Sequence, residues 1–507
     1  MTQNDIQSAK LSNGEPLQVH THLFINNTFV PGHGPLFENI NPVNEQVICK
    51  VQSANEQDVD AAVEAATKAF KKVWRKEAAA QRGRYLYKLA DLMERDKIEL
   101  AKLEVLDSGK PFMVARDADV ADSIACFRYF AGWADKIQGD IINSTYDKTC
   151  CTVLSPLGVV GAICPWNYTI MMPTWKLAPA LAAGNTVVLK TSEVTPLAML
   201  KVAALMVEAG FPAGVVNIIT GEGHVTGSYL SSHPGIQKLA FTGSTHTGRH
   251  IMEKAVKSNI KKVQLQLSGK SSQIVCADAD LQNAAVQVCV GAFINNGQSC
   301  CAGSRILVQE EVLDEFMALF MHQVSMVYAG DPFEDNVALG PLINKAQFEK
   351  VLRYIESGVE EGATLVQGGQ RQGDTGYFIE PTVFCNCTLN MRIMREEIFG
   401  PVAGIMSFKT LDEAIEMAND TDYGLAGGVY TTNLETAINV SESLEAGTVW
   451  VNCYEVFDQS TPFGGFKHSG FGKDLGLESL REYSNLKTVK IQRTSWAKAP
   501  ALPKNKL

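Results

Sequence analysis

Two adjacent thiols are the first residues in this chain able to do covalent chemistry. The segment Phe293-Ile294-Asn295-Asn296-Gly297-Gln298-Ser299-Cys300-Cys301-Ala302-Gly303-Ser304-Arg305 sets them after an apolar helical stretch, in a Gly-flanked loop that runs into a β-branched strand. A loop thiol between helix and sheet can meet a substrate, and its thiolate is a strong nucleophile. A buried structural pair fits the same segment, because free cysteine is among the most buried residue types. The chain has 12 cysteines, and none shows a paired CxxC spacing. Cys385-Asn386-Cys387 and the vicinal pairs Cys150-Cys151 and Cys300-Cys301 lack a nearby His set, so no metal site is expected.

A second group of residues could hold an anion. Phe241-Thr242-Gly243-Ser244-Thr245-His246-Thr247-Gly248 reads as a strand end, a small polar turn and the start of a helix. Such a turn aims amides and hydroxyls at a phosphate, although plain helix capping by Ser244 or Thr245 accounts for it equally well. Gly221-Glu222-Gly223, with Gly227 beyond, also follows a strand but misses the GxGxxG spacing of dinucleotide sites and reads alone as an ordinary turn.

The elements that must position these residues follow from periodicity. Val59, Val63, Ala66, Phe70 and Trp74 recur at helical spacing, as do Leu86, Leu89, Leu92 and Met93. From Val159 onward, β-branched runs at 159–163, 186–190, 215–219, 238–241 and 263–267 alternate with helices over 173–183, 196–209 and 248–256. This βαβ rhythm implies a parallel sheet covered on both faces. A second alternation follows, with helices over 284–293, 312–327 and 345–361 and strands at 305–308, 425–430 and 449–452. The reading is α/β with two such domains. The tail from Trp496 to Leu507 is expected to end as a loose arm.

Composition narrows the classes of function. The chain has 507 residues, is 46% hydrophobic and carries a formal net charge of -10, which disfavours nucleic acid and anionic lipid surfaces as partners. The most apolar stretch, 158–175, is broken by Pro165, Asn167 and Pro173, so no membrane span is expected. Met1-Thr2-Gln3-Asn4-Asp5 has no signal or transit character, and a cytoplasmic protein is expected.

Taken together and in order, these segments resemble the aldehyde dehydrogenase superfamily, most closely its class 1/2 branch. The resemblance runs from about His22 to Gln492. It is carried by Pro165-Trp166-Asn167, Trp175-Lys176, Lys190 with Glu193, the Phe241-to-Gly248 turn, Gly297-Gln298-Ser299-Cys300, Glu396-Glu397-Ile398-Phe399-Gly400-Pro401 and Pro462-Phe463-Gly464-Gly465. It implies an aldehyde dehydrogenase fold with two Rossmann-like parallel-sheet domains and a small β oligomerisation domain. Residues 1–138 and 157–268 would form the NAD-binding domain, 269–483 the catalytic domain, and 139–156 with 484–507 the oligomerisation sheet and C-terminal arm. Catalytic roles would fall on Cys300 as nucleophile, on Asn167 with the Cys300 backbone N–H as oxyanion hole, and on the position of Gln266. Cys301 would point away. The cofactor NAD would be held by Trp166, Lys176, Lys190, Glu193, Gly223, Ser244, Gly248, Glu397 and Phe399. A carboxylate at Glu193 favours NAD over NADP, since a 2′-phosphate would meet a like charge.

The sequence departs from the family at one chemically decisive place. Where the family reads Glu-Leu-Gly-Gly-Lys-Ser-Pro, this chain reads Gln266-Leu267-Ser268-Gly269-Lys270-Ser271-Ser272, and the Glu is the family's general base. Glutamine can hydrogen-bond a water but cannot take its proton, and a general base typically supplies about 10²- to 10⁴-fold. Ser268 for Gly, Ser272 for Pro and Thr169 for Pro lie in neighbouring segments. The reading preferred on this ground is a protein that binds NAD but has little or no dehydrogenase turnover and is used structurally, similar to the omega-crystallins of mollusc eye lenses. The alternative is an active NAD-dependent aldehyde dehydrogenase working through a Cys300 thioester with another base or a thiol acceptor. Expected partners are a second copy of the chain, as homodimer or homotetramer, and a small aldehyde.

Overall fold

The computed structural model describes residues 5–144 and 148–492. The expected C-terminal arm over 496–507 lies outside the described residues. The βαβ rhythm resolves into an eight-stranded sheet. Its strands run in the order Gly470–Phe471, Lys262–Gln266, Lys238–Thr242, Val159–Ile163, Thr186–Lys190, Val216–Ile219, Leu23–Ile25 and Thr28–Val30. The five from Lys262–Gln266 to Val216–Ile219 are mutually parallel, and antiparallel strands close both edges. Every residue of Val159–Ile163, Thr186–Lys190 and Lys238–Thr242 is buried, because helices cover both faces.

The second alternation forms a seven-stranded sheet in the order Thr364–Gln367, Thr382–Cys385, Val402–Phe408, Arg305–Gln309, Ser272–Val275, Ala426–Tyr430 and Thr448–Val451. It is parallel apart from Thr364–Gln367. Ser272–Val275, Thr382–Cys385 and Val402–Phe408 are strands that the periodicity reading does not single out, two of them only four residues long. Six short strands between Ile6 and Val51 likewise precede the first helix, Glu56–Lys72.

A third sheet pairs Ser484–Gln492 with Lys148–Pro156 and the latter with Ile141–Ile142, all antiparallel. No helix among the described residues is long and apolar enough to cross a membrane.

In the first sheet the loops that matter leave the carboxyl ends of parallel strands, the side on which open α/β sheets bind ligands. Thr242 and Gln266 stand at the ends of their strands on the first sheet. The thiol loop faces them from the second.

Candidate active site

The helix Leu281–Phe293 ends in a tight turn in which Asn295 (φ 52°), Asn296 (φ 58°) and Gly297 (φ 64°) are successively left-handed. Asparagine tolerates this region better than most side-chain-bearing residues. The two amides secure the turn: Asn295 Nδ2 donates to the carbonyls of Asn167 (3.0 Å) and Gln298 (3.2 Å), and Asn296 Nδ2 to those of Gly340 (2.6 Å) and Pro341 (2.8 Å). At Gly297 a Cβ would lie 2.2 Å from the carbonyl oxygen of Gly400, so only glycine fits. Gly269 presses on the same loop from the other sheet, since a Cβ there would stand 2.2 Å from the Cys300 carbonyl oxygen.

Cys300, partly exposed, opens into a cavity of about 210 Å³. The structure brings Trp166, Asn167, Ser244, Gln266, Glu397 and Phe399 to the same cavity. Asn167 Nδ2 donates to the Gln298 carbonyl at 2.8 Å, which fixes the amide plane beside Cys300 and leaves its second N–H free of that bond. Ser244 accepts from Thr247 N (3.2 Å) and caps the helix Thr245–Ser258, whose amino end points at the cavity. The rings of Trp166 and Phe399 meet edge-to-face at 5.2 Å.

Gln347 and Lys350 also line this cavity, and sequence reading missed them. Gln347 Nε2 donates to the carbonyls of Phe399 (2.7 Å) and Ile398 (3.1 Å), and Lys350 Nζ to that of Glu397 (3.2 Å). They sit on Lys345–Glu360, about fifty positions from the segment they hold, with no local signal beyond a helical pattern.

A larger cavity, about 410 Å³, adjoins the first sheet and is lined by Ile163, Gly223, His224, Gly227, Thr247 and Ile251. Lys190 stands beside Gly227, with Nζ 3.2 Å from Glu193 Oε2, while burial pulls the Lys190 ammonium below its ordinary range. Gly248 serves packing, because a Cβ would meet Leu267 Cδ2 at 2.7 Å. Lys176 lines neither cavity; it is fully buried in an ion pair with Asp474, which also accepts from Gln264 Nε2.

The departures in sequence have structural counterparts. Both amide atoms of Gln266 are buried with no hydrogen-bond partner among the described residues, so the side chain faces the cavity with its polar end unpaired. Ser268 is not left-handed, and its hydroxyl accepts from Thr245 N at 3.4 Å and meets the Glu397 carboxylate. Unusual backbone angles are thus absent at this position. Burial raises Glu397, whose Oε1 also accepts from Gly269 N at 3.0 Å. At Thr169, where a proline would have no N–H, the backbone donates to the buried Glu104 (3.3 Å). Cys301, expected to point away from Cys300, is buried off this cavity with its thiol 3.4 Å from Glu455 Oε1; the neighbouring Cys300 thiol, burial and the Glu455 charge raise it well above the ordinary thiol range.

Comparison with known proteins agrees with this geometry. The family model described as "Aldehyde dehydrogenase family" matches residues 29–489. An aldehyde dehydrogenase of Emericella nidulans is 52% identical over 468 residues, 92% of this chain and 94% of its own. Retinal dehydrogenase 2 of Homo sapiens is 49% identical over 476 residues, 93% and 92% respectively. Among solved structures, the NAD+ complex of an aldehyde dehydrogenase from Bacillus cereus aligns with a TM-score of 0.92 at 43% identity, covering 96% of this chain and 100% of that one. An indole-3-acetaldehyde dehydrogenase with NAD+ aligns with a TM-score of 0.93 at 40% identity, covering 94% and 97%. These relatives overturn the expectation of a crystallin-like structural protein without turnover. Proteins about half identical over nearly the whole length are named as dehydrogenases, and one missing carboxylate in an otherwise assembled site does not outweigh that.

Proposed function

The chain belongs to the aldehyde dehydrogenase family, and from that premise we propose that it is an enzyme that oxidises an aldehyde to the carboxylic acid with NAD, through a thioester on Cys300. The supporting observation is the convergence of Cys300, Asn167 and the capped helix end at Ser244 on one cavity. The Cys300 thiolate adds to the aldehyde carbon. The free N–H of Asn167 and the backbone N–H of Cys300 hold the oxygen that becomes negative, a preorganised arrangement worth about 10²- to 10³-fold per donor. NAD, when bound, supplies the acceptor for the hydride that leaves the substrate carbon.

The residues present fit that cofactor. Ser244 and the amino end of its helix suit the pyrophosphate, Lys190 and Glu193 the adenosine ribose, and the 410 Å³ cavity beside Gly223 the adenine. Glu397, Phe399 and Trp166 suit the nicotinamide ribose and ring. Gly248 supports this face by letting its helix close on Leu267. Lys176, held by Asp474, acts on the cofactor side only through the packing around it. Gln266 orients a water without deprotonating it.

Residues 5–138 with 157–268 would serve the cofactor and 269–483 the chemistry, with Gly470–Phe471 as an edge strand shared across that division. The sheet at 139–156 and 484–492 would pair copies into a homodimer or homotetramer. It exposes Ile141, Leu486 and Ile491 at 86%, 67% and 55%, the kind of apolar edge that proteins normally cover. A cytoplasmic location completes the reading.

The direct test is steady-state NADH production over a panel of aliphatic, aromatic and isoprenoid aldehydes. Turnover that disappears in Cys300→Ala supports the proposal. Absence of NADH across the panel, in protein that acquires thermal stability from NAD, would reject it.

A further inference from the structure

Glutamine at 266 cannot accept a proton, and the carboxylate that does line the cavity, Glu397, is assigned above to the nicotinamide ribose; a second carboxylate stands beside the thiol loop. Glu455 lies shortly after the strand Thr448–Val451 and is held at φ 56°, a left-handed conformation that side-chain-bearing residues seldom adopt and that clusters at functional sites. Its Oε1 accepts from Ser299 Oγ at 3.1 Å and from Cys301 Sγ at 3.4 Å, so it binds the residues on both sides of Cys300. No lysine or arginine among the described residues pairs with Glu455. The residue is partly exposed, which leaves room for a water to reach it.

We propose that Glu455 is the proton acceptor for hydrolysis of the acyl group on Cys300, in the place that Gln266 cannot fill. The inference rests on the reading of Cys300 as nucleophile given above. As water oxygen attacks the acyl carbon, an O–H proton passes to the Glu455 carboxylate. The carbon–sulfur bond then breaks and its electron pair leaves with Cys300 sulfur. The products are the carboxylic acid and a Cys300 thiolate, which recovers the proton from Glu455 through a water.

The electrostatics suit the task. Burial pushes the Glu455 carboxyl up to about 7, against the opposing hydrogen bonds from Cys301 and Ser299. A general base is most effective with a pKa near the working pH. The other titratable groups facing it are Tyr168, before the helix Met171–Ala182, and its chain neighbour Tyr454; burial raises both phenols well above their ordinary range, so they remain neutral there.

The test separates this step from dehydrogenation. Cys300 is acetylated with p-nitrophenyl acetate, which requires neither aldehyde nor NAD, and the lifetime of the acetyl adduct is followed by intact mass and peptide mapping. In the parent protein, deacylation should rise through about pH 7 and level off above it. Glu455→Gln, which keeps an acceptor oxygen for Ser299 and Cys301, should lengthen the adduct lifetime by about 10²-fold, slow deacylation far more than acylation and abolish the pH limb. Adding Gln266→Glu to that variant should restore hydrolysis. Should Glu455→Gln not fold, Glu455→Asp should show a partial loss with the pH limb retained.

An unchanged lifetime and pH profile in Glu455→Gln would overturn the proposal. So would equal slowing of acylation and deacylation, which would make Glu455 a loop anchor only. Failure to acetylate Cys300 would overturn both this inference and the nucleophile reading. Normal deacylation in a protein that produces no NADH would count against the dehydrogenase alone.

Discussion

Cys300 differs from the thiols of the core in what surrounds it. Burial pushes the thiols of Cys164 and Cys289 up to about 12 and that of Cys126 well above the ordinary range. Those three are inert at neutral pH. Cys300 competes instead with the partly exposed Cys151, Cys385 and Cys453. Limiting alkylation followed by peptide mapping should find Cys300 labelled first, because it alone of these faces the cavity that holds the Asn167 amide. Prior labelling at Cys151 or Cys385 would mean that the loop does not activate the thiol.

Lys270 carries a pH effect at the same scale. It is fully buried with Nζ unpartnered among the described residues, and burial, with help from Arg305, lowers its ammonium to about 7. Between about pH 7 and its unfolded value near 10.4, the unfolded chain binds the extra proton, so this residue makes stability rise with pH across that window. Its penalty is complete below about pH 7. Lys270→Met should therefore raise the thermal midpoint at pH 7 and flatten its dependence between about pH 7 and 10, with a gain of about 1–4 kcal/mol. An unaltered slope would show that Lys270 is not the group responsible.

Among the elements, the glycine between strands Lys262–Gln266 and Ser272–Val275 holds the thiol loop against the first sheet. Gly269→Ala would drive a methyl to 2.2 Å from the Cys300 carbonyl oxygen, a backbone atom that cannot swing aside. The expected cost is about 1–3 kcal/mol in denaturant unfolding, with a larger relative loss in the rate of Cys300 acylation. The capped helix Thr245–Ser258 gives a milder test. Ser244→Ala removes the bond to Thr247 N and should cost about 1 kcal/mol in stability while raising the dissociation constant for NAD in calorimetry.

Across the whole molecule, the three-stranded sheet is the place to look for self-association. Leu486→Lys with Ile491→Lys puts charge on strand Ser484–Gln492. Light scattering should show the parent as an oligomer and the double variant as a smaller species with a lower thermal midpoint. A parent that is already monomeric would remove the role assigned to that sheet.

Read alone, the amino-acid chain disclosed the family, the alternation of strands and helices from Val159 onward, and the candidacy of Cys300, Asn167 and Gln266, which the fold brings to one cavity. These are legible because apolar periodicity and short motifs are local, and a missing carboxylate is visible in one letter. It misled where a single letter was taken to decide turnover, since the base at one position says nothing of carboxylates elsewhere. Tertiary structure decided what depends on distance between remote segments: Lys176 against Asp474, Gln347 and Lys350 behind Glu397 and Phe399, and Glu455 beside Ser299 and Cys301. Glu455 lies about 155 positions from Cys300, and no local pattern marks it. Only the folding of two sheets onto one cleft brings its carboxylate to the thiol loop, and only burial there moves that carboxyl toward neutrality.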